Sequence, residues 1–293
     1  MVNLRILNLN GRDFMIRRPA VAGTFYESHP ESLKKRIEWC FKHELGPGKL
    51  PKFGDKREIK GVVAPHAGFI YSGPVAAHSY YEIVKDGFPE TFVILCPNHT
   101  GMGSGVAVAT EEKWNTPLGD VEIDYEFASQ LWKKSGIIDS DSSSHSQEHS
   151  CEVHLPFLQY FSNNFQIVPV SMGMQDLETS NEIANAINKV ALKLNRDLVV
   201  IASTDFTHYQ PQDIASQNDN YVLESIRLLD EQQMMQRVFD LNVTMCGYGP
   251  VATNILFSKM RGSLKGEILK YATSGDITGD HSSVVGYASA IFR

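Results

Sequence analysis

From Lys60 onward the sequence alternates short β-branched runs with longer amphipathic stretches, and this alternation constrains the fold more than any other feature. VVA at 62–64, TFVIL at 91–95, FQIVPV at 165–170 and DLVVIAS at 197–203 are apolar at almost every position. Runs of that length without polar alternation suit strands covered on both faces. Between them the pattern predicts helices around 74–85, 125–135, 148–161, 177–195, 214–229 and 250–260, with Pro250 placed near a helix start. Strands and helices in alternation predict an α/β sandwich. The terminal VVGYASAIF reads as another strand, and GVAVAT with DVEID adds antiparallel ones around a turn at Asn115 to Asp120. The sheet is therefore expected to be mixed. GPGKLPKFGDKRE at 46–58 reads as a surface loop, not a boundary, and no repeat of solenoid period is present. The expectation is one domain over residues 1–293, a central mixed sheet flanked by helices.

Composition narrows the function classes. With 42% hydrophobic residues in 293, the chain can bury a large core, which excludes disorder as its main state. Thirty-four acidic residues against 27 basic ones give a net charge of −7, so no overall cationic field exists to hold nucleic acid. No run approaches the ~20 apolar residues of a membrane span. The amino-terminal MVNLRILNLNGRDF lacks the apolar core of a signal peptide, so no membrane partner and a cytoplasmic location are expected. Cys40, Cys96, Cys151 and Cys246 lie far apart without C-x-x-C spacing, which argues against a disulfide framework and against a zinc ribbon.

Three apolar runs end in residues of catalytic type. His66 follows VVAP, His99 follows VILCPN, and Asp205 with His208 follows VVIAST. In open α/β sheets the ligand crevice lies beyond the carboxyl ends of the strands, which gives these residues a reason to converge. Neutral imidazole is the commonest metal ligand among side chains, so a metal would give that convergence a purpose. Cys246, just ahead of an expected helix start, is the best thiol candidate, because a helix amino terminus stabilises thiolate. Cys40 and Cys151 sit in helix-like patterns as small hydrophobes, and Cys96, near a strand end but before Pro97, reads as core or as a group just behind the ligands.

HSQEHSCEVHLPF at 145–157 packs His145, Glu148, His149, Glu152 and His154 together. HSQEH formally fits an H-x-x-E-H zinc motif, but pocket-lining and capping roles fit the serine-rich approach better, with Glu148 and His149 in acid/base or substrate contacts. GMGSG at 101–105 lacks both the dinucleotide spacing and the Walker lysine, and is expected to let the backbone pass close to His99. A serine cluster of Ser203, His208 and Asp205 ranks below metal binding. His29, His43 and His78 read as structural or solvated, and His281 as a rim residue.

RRPAVAGTFY (17–26), APHAGFIYSGPVAAHSY (64–80), CPNHTG (96–101), NTPLGDVEID (115–124), EHSCEVHLPF (148–157), STDFTHY (203–209), CGYGP (246–250) and HSSVVGYASA (281–290) occur in this order. Through these motifs the chain closely resembles the Memo family (mediator of cell motility), called AmmeMemoRadiSam system protein B in microbes, which is similar in fold to class III extradiol dioxygenases. The resemblance implies His66, His99 and Cys246 as metal ligands, with Asp205 and His208 beside the metal. His208 would serve as acid/base and Asp205 would orient it. The ring-cleaving enzymes use two histidines and a carboxylate for iron; a thiolate in its place shifts preference towards copper, zinc or iron–thiolate chemistry. Iron or copper, with zinc as a third option, is the expected cofactor, and a small aromatic or quinone-like molecule the expected substrate class. The alternative is a binding module taking a peptide or protein in the same cleft, with Phe25 and Tyr26 at aromatic positions and no arginine fork nearby in sequence. The microbial family name implies association with an AMMECR-type protein and a radical-SAM enzyme.

Overall fold

The computed structural model describes residues 5–7, 13–110 and 112–293. Most of the amino-terminal stretch expected to lack a signal peptide thus lies outside the described residues. After β1 (Arg5–Leu7) and β2 (Asp13–Arg17) the chain forms α1 (Pro30–Lys42), then β3 (Gly61–Ala64), α2 (Phe69–Asp86) and β4 (Thr91–Pro97). Three short strands follow, β5 (Val106–Val108), β6 (Glu112–Thr116) and β7 (Gly119–Ile123), then α3 (Tyr125–Lys134) and β8 (Asp139–Ser140). The remainder is α4 (Leu155–Phe161), β9 (Gln166–Met172), α5 (Leu177–Leu194), β10 (Leu198–Ser203), β11 (His208–Gln210), α6 (Gln212–Arg227), α7 (Glu231–Asp240), α8 (Tyr248–Met260), β12 (Gly266–Thr273), α9 (Gly275–Thr278) and β13 (Val284–Phe292).

The four apolar runs form the centre of one sheet. Strand order there is β9-β4-β10-β3-β13, with the first four mutually parallel and β13 antiparallel to β3. Every residue of β3, β4 and β10 is buried, which is why these strands read as unbroken apolar runs. Helices α2 and α8 both pack on β3, and consecutive Val62 and Val63 fall in different apolar clusters, as the two-residue period requires of a strand covered on both faces. The expected mixed sheet flanked by helices is the observed architecture.

Details differ where local chemistry outweighed periodicity. DVEID does pair across a tight turn, but with β6; GVAVAT supplies β5, which runs antiparallel to β9 instead. The helix expected at 148–161 shrinks to α4, because Pro156 tolerates only a first-turn position and the preceding residues coil into short 3₁₀ turns. Helix α7 escaped the sequence reading, and α1 was read only as a helix-like pattern around Cys40, without bounds. Pro30 starts α1, and Asp230 caps α7 by accepting from Gln233 N. Residues 46–58 are loop, as expected. Among the described residues, no helix is long and apolar enough to cross a membrane.

Candidate functional site

The parallel strands all end on one edge of the sheet, and β10 lies between β3 and β4. The residues just past those ends must therefore meet: His66 after β3, His99 after β4, and Thr204 and Asp205 after β10. His66 is 2% exposed, its main-chain N–H donates to Asp205 Oδ1 at 2.9 Å, and its Nδ1 lies 2.7 Å from Ser203 Oγ. Its ring meets that of His99 edge-on at 5.1 Å and that of His149 at 5.4 Å, while His99 and His149 stack at 4.8 Å. One ligand atom from each of His66, His99 and His149 lies within 4.8 Å of the other two. Burial, reinforced by the neighbouring His149 and His99, holds His66 well below the ordinary histidine range, and burial lowers His149 as well. Neutral imidazoles are the form in which histidine binds a metal.

Glu148 stands behind two of these rings. Its Oε1 lies 3.0 Å from His99 Nδ1 and 3.3 Å from His149 Nδ1, and its Oε2 accepts from the His99 main-chain N–H at 2.5 Å. Ser150 donates to it twice, from N at 2.9 Å and from Oγ at 2.7 Å. Burial alone would raise this carboxyl, but the bonds from His99 and Ser150 outweigh it and hold Glu148 at about 2. A carboxylate so occupied is placed to orient the two imidazoles. Glu148, expected in acid/base or substrate contacts, stands as a support behind two imidazoles in this structure, and His149 takes a place among the potential ligands.

Cys246 closes the other side. Its Sγ lies 3.2 Å from His66 Nε2 and accepts from Asp205 N at 3.2 Å. Gly247 permits this approach, since a Cβ there would stand 2.2 Å from Ser203 O. Helix α8 begins at Tyr248, so the thiol does precede a helix start. Yet burial, and then the Asp205 carboxylate, push the thiol up. The helix terminus alone therefore does not make the thiolate expected from sequence; a metal's charge would have to. Burial also raises Asp205.

Two further expectations need correction. His208 is held not by Asp205 but by Thr244, whose main-chain O lies 2.9 Å from Nδ1. Cys96 and Cys151 form a disulfide with Cα atoms 5.5 Å apart, although sequence spacing argued against one. Their separation of 55 residues carries no signal, because the fold alone brings the end of β4 to the turn after Glu148. The bridge ties the strand that delivers His99 to the segment that supports it. HSQEH is not a zinc helix: His145 lies in a 3₁₀ turn, with its ring against Trp114 at 5.5 Å. In GMGSG, Gly101 and Gly103 have φ of 65° and 77°, and the turn is fastened by Asn98 Oδ1. His43, expected to be structural or solvated, is partly exposed and packs its ring on Trp39 at 4.7 Å.

Sequence reasoning also missed a brace. Arg17 donates to Glu152 Oε2 at 2.6 Å, to Glu148 O at 2.6 Å and to His145 O at 2.8 Å, and lies 4.1 Å over the Trp114 ring. Both side chains of this ion pair are buried, and Tyr26 adds a hydroxyl at 2.6 Å from Glu152 Oε1. The only hint was an arginine and a glutamate inside the two motifs RRPAVAGTFY and EHSCEVHLPF.

Comparison with known proteins bears on the same residues. A family model described as Memo-like protein matches residues 17–291. A MEMO1 family protein of Methanothermobacter thermautotrophicus is 59% identical over 94% of this chain and 99% of its own length. The chain belongs to the Memo family. A second Memo relative, from Methanopyrus kandleri, is 57% identical over 95% of this chain and 99% of its own. The crystal structure of an uncharacterised Escherichia coli K12 protein superposes with a TM-score of 0.53 at 13% identity, covering 80% of this chain and 100% of that one, a likeness of fold alone. In this Memo chain Phe25 of the first motif packs against His149 at 4.7 Å between ring centres, so the motif contributes a wall of the crevice as well as the Arg17 brace.

Proposed function

We propose that the crevice of this Memo-like domain holds a transition metal, iron or copper with zinc as the third option, and that the protein is redox-active on a small molecule. His66, His99 and Cys246 are the ligands of this reading, with His149 a fourth donor beside them. The observation that carries it is the Glu148 carboxylate. By engaging Nδ1 of His99 at 3.0 Å and of His149 at 3.3 Å it leaves Nε2 of both rings free, the arrangement that commonly backs metal-bound histidines. A bound metal would supply redox or Lewis-acid chemistry. The chain's own part is to hold three imidazoles and a thiol together, with His208 at the rim bonded through Nδ1 to Thr244.

The test is metal analysis of untagged, anaerobically purified protein, followed by titration of variants. His66→Ala and His99→Ala should each weaken binding by ~100-fold or more, whereas exposed His29→Ala should change nothing. Cys246→Ala against His149→Ala identifies the third ligand. Unchanged affinity in all four site variants would sink the reading.

A binding module remains the second reading, favoured by exposed apolar residues on the segments that follow the parallel strands: Ile70, Tyr71, Met102, Met174 and Tyr209. Oxygen consumption with a substrate panel separates the two, since a module turns nothing over.

A further inference from the structure

Behind His66 lies a chain of buried polar groups that the metal reading does not use. Ser203 Oγ has three partners at 2.7 Å: the main-chain O of Ser150, Nδ1 of His66 and Nε2 of His154. His154 Nδ1 in turn lies 2.5 Å from the Tyr80 hydroxyl. Tyr80, Ser150, His154, Ser203 and His66 are at most 2% exposed, so water is not at hand to complete any of these bonds.

A hydroxyl owns one proton and two lone pairs. The Ser150 carbonyl can only accept, so at 2.7 Å the Ser203 proton belongs to it. Giving that proton to an imidazole instead would leave two buried acceptor oxygens face to face. Both imidazole nitrogens must then donate to Ser203. His154 is consequently protonated at Nε2, and its Nδ1 is the acceptor that the Tyr80 hydroxyl requires. With the Ser203 proton on the Ser150 carbonyl, each donor in the chain meets one acceptor.

We propose that Ser203 is a positioning residue that fixes His66 as the Nδ1–H tautomer, with the Nε2 lone pair turned into the crevice, and that His154 and Tyr80 hold Ser203 in this role. The inference rests on the metal reading for its purpose but not for its geometry. Two further facts agree with it. Burial keeps His154 neutral, at about 3, and Tyr80 un-ionised, so neither end of the chain supplies a competing charge. Cys246 Sγ stands 3.2 Å from His66 Nε2, so the nitrogen opposite Ser203 is the one turned into the crevice. A metal would take its lone pair without any tautomer exchange.

Ring-nitrogen NMR of the metal-free wild type tests this directly, using ¹⁵N-histidine protein with zinc as the probe for later titration. His66 should show a protonated Nδ1 and a pyridine-type Nε2, and His154 the reverse. A protonated Nε2 on His66 overturns the proposal whatever the metal does, and needs no variant to fold. Ser203→Ala should release the His66 tautomer and weaken zinc binding ~10- to 100-fold, as loss of a supporting bond behind a ligand does. Ser203→Thr, which keeps the hydroxyl, should restore both. Tyr80→Phe should change the His154 Nδ1 signal and weaken zinc binding in the same direction as Ser203→Ala but by less, since it acts one bond further from His66. If Ser203→Ala moves neither tautomer nor affinity, Ser203 is merely packed. Failure of the wild type to bind any metal, with the tautomers as stated, defeats the functional reading and leaves this one standing.

Discussion

Tyr209 shows what a single residue can be made to bear at this site. It has φ of 61°, a left-handed conformation rare for a bulky residue, and it sits where the pairing of β11 with β13 shifts between His208 and Gln210. At 76% exposed, the ring gains little packing in return. Bulges beside active sites re-aim side chains, and here the neighbour is His208. Tyr209→Gly should therefore stabilise the protein, by ~1 kcal/mol, which in a chain of this size is roughly 2–4 °C in Tm. A lower Tm in a thermal melt would show that the ring packs better than its exposure indicates. No sequence pattern announced this strain, since STDFTHY contains no glycine to mark a left-handed position. By contrast, His66, His99, Cys246 and Asp205 were legible, because each follows an apolar run or precedes a helix start. The bonds of Ser203, His154 and Glu148 were not legible for a physical reason: which atom a side chain bonds decides its role, and spacing along the chain does not carry that.

At the scale of elements, strands were read more accurately than the segments between them. A fully buried parallel strand writes itself as an apolar run, whereas the 142–154 segment is held by long-range bonds from Arg17 and by the Cys96–Cys151 bridge, neither of which has a local signature. The bridge should matter for both stability and site. Closing a loop of 55 residues removes unfolded-state entropy worth about 4 kcal/mol in the chain-entropy model, with 2–4 kcal/mol typical of measured bridges. Cys96→Ala with Cys151→Ala should lower the urea midpoint accordingly. Because Cys151 adjoins Ser150, which donates twice to Glu148, the double variant should also loosen the support of His99 and weaken metal binding. Equal stability of wild type and double variant would mean that the two sulfurs are not bridged in solution. Equal metal affinity would separate the bridge from the site.

For the whole molecule, the same burial that keeps imidazoles neutral for ligation makes the fold sensitive to acid. His145 is held at about 4 by burial and then by the Arg17 charge, His154 at about 3 by burial and then by His149, and His66 is lowered in the same direction. All three are at most 2% exposed. Unfolded, each titrates near ~6.5. Between that value and the folded one the unfolded chain binds more protons, so stability falls as pH drops, by roughly 1.4 kcal/mol per pH unit for each such histidine. The stability is complete above ~6.5 and is lost progressively towards the folded values. Glu148 adds a second stage of the same sign. Held at about 2 against an ordinary 4.5, it contributes above that ordinary value and is lost below it, a further effect of about 3 kcal/mol. Urea denaturation of the metal-free protein from pH 7.5 to 4 should thus show a slope that sets in near pH 6.5 and steepens below 4.5. His145→Gln removes one titrating group away from the three-histidine cluster and should make the upper part of the curve shallower by about 1.4 kcal/mol per unit. A flat curve between pH 6.5 and 5, or an unchanged slope in His145→Gln, would show that these histidines take up protons in the folded state, and the neutral imidazoles on which the site's chemistry depends would have to be sought elsewhere.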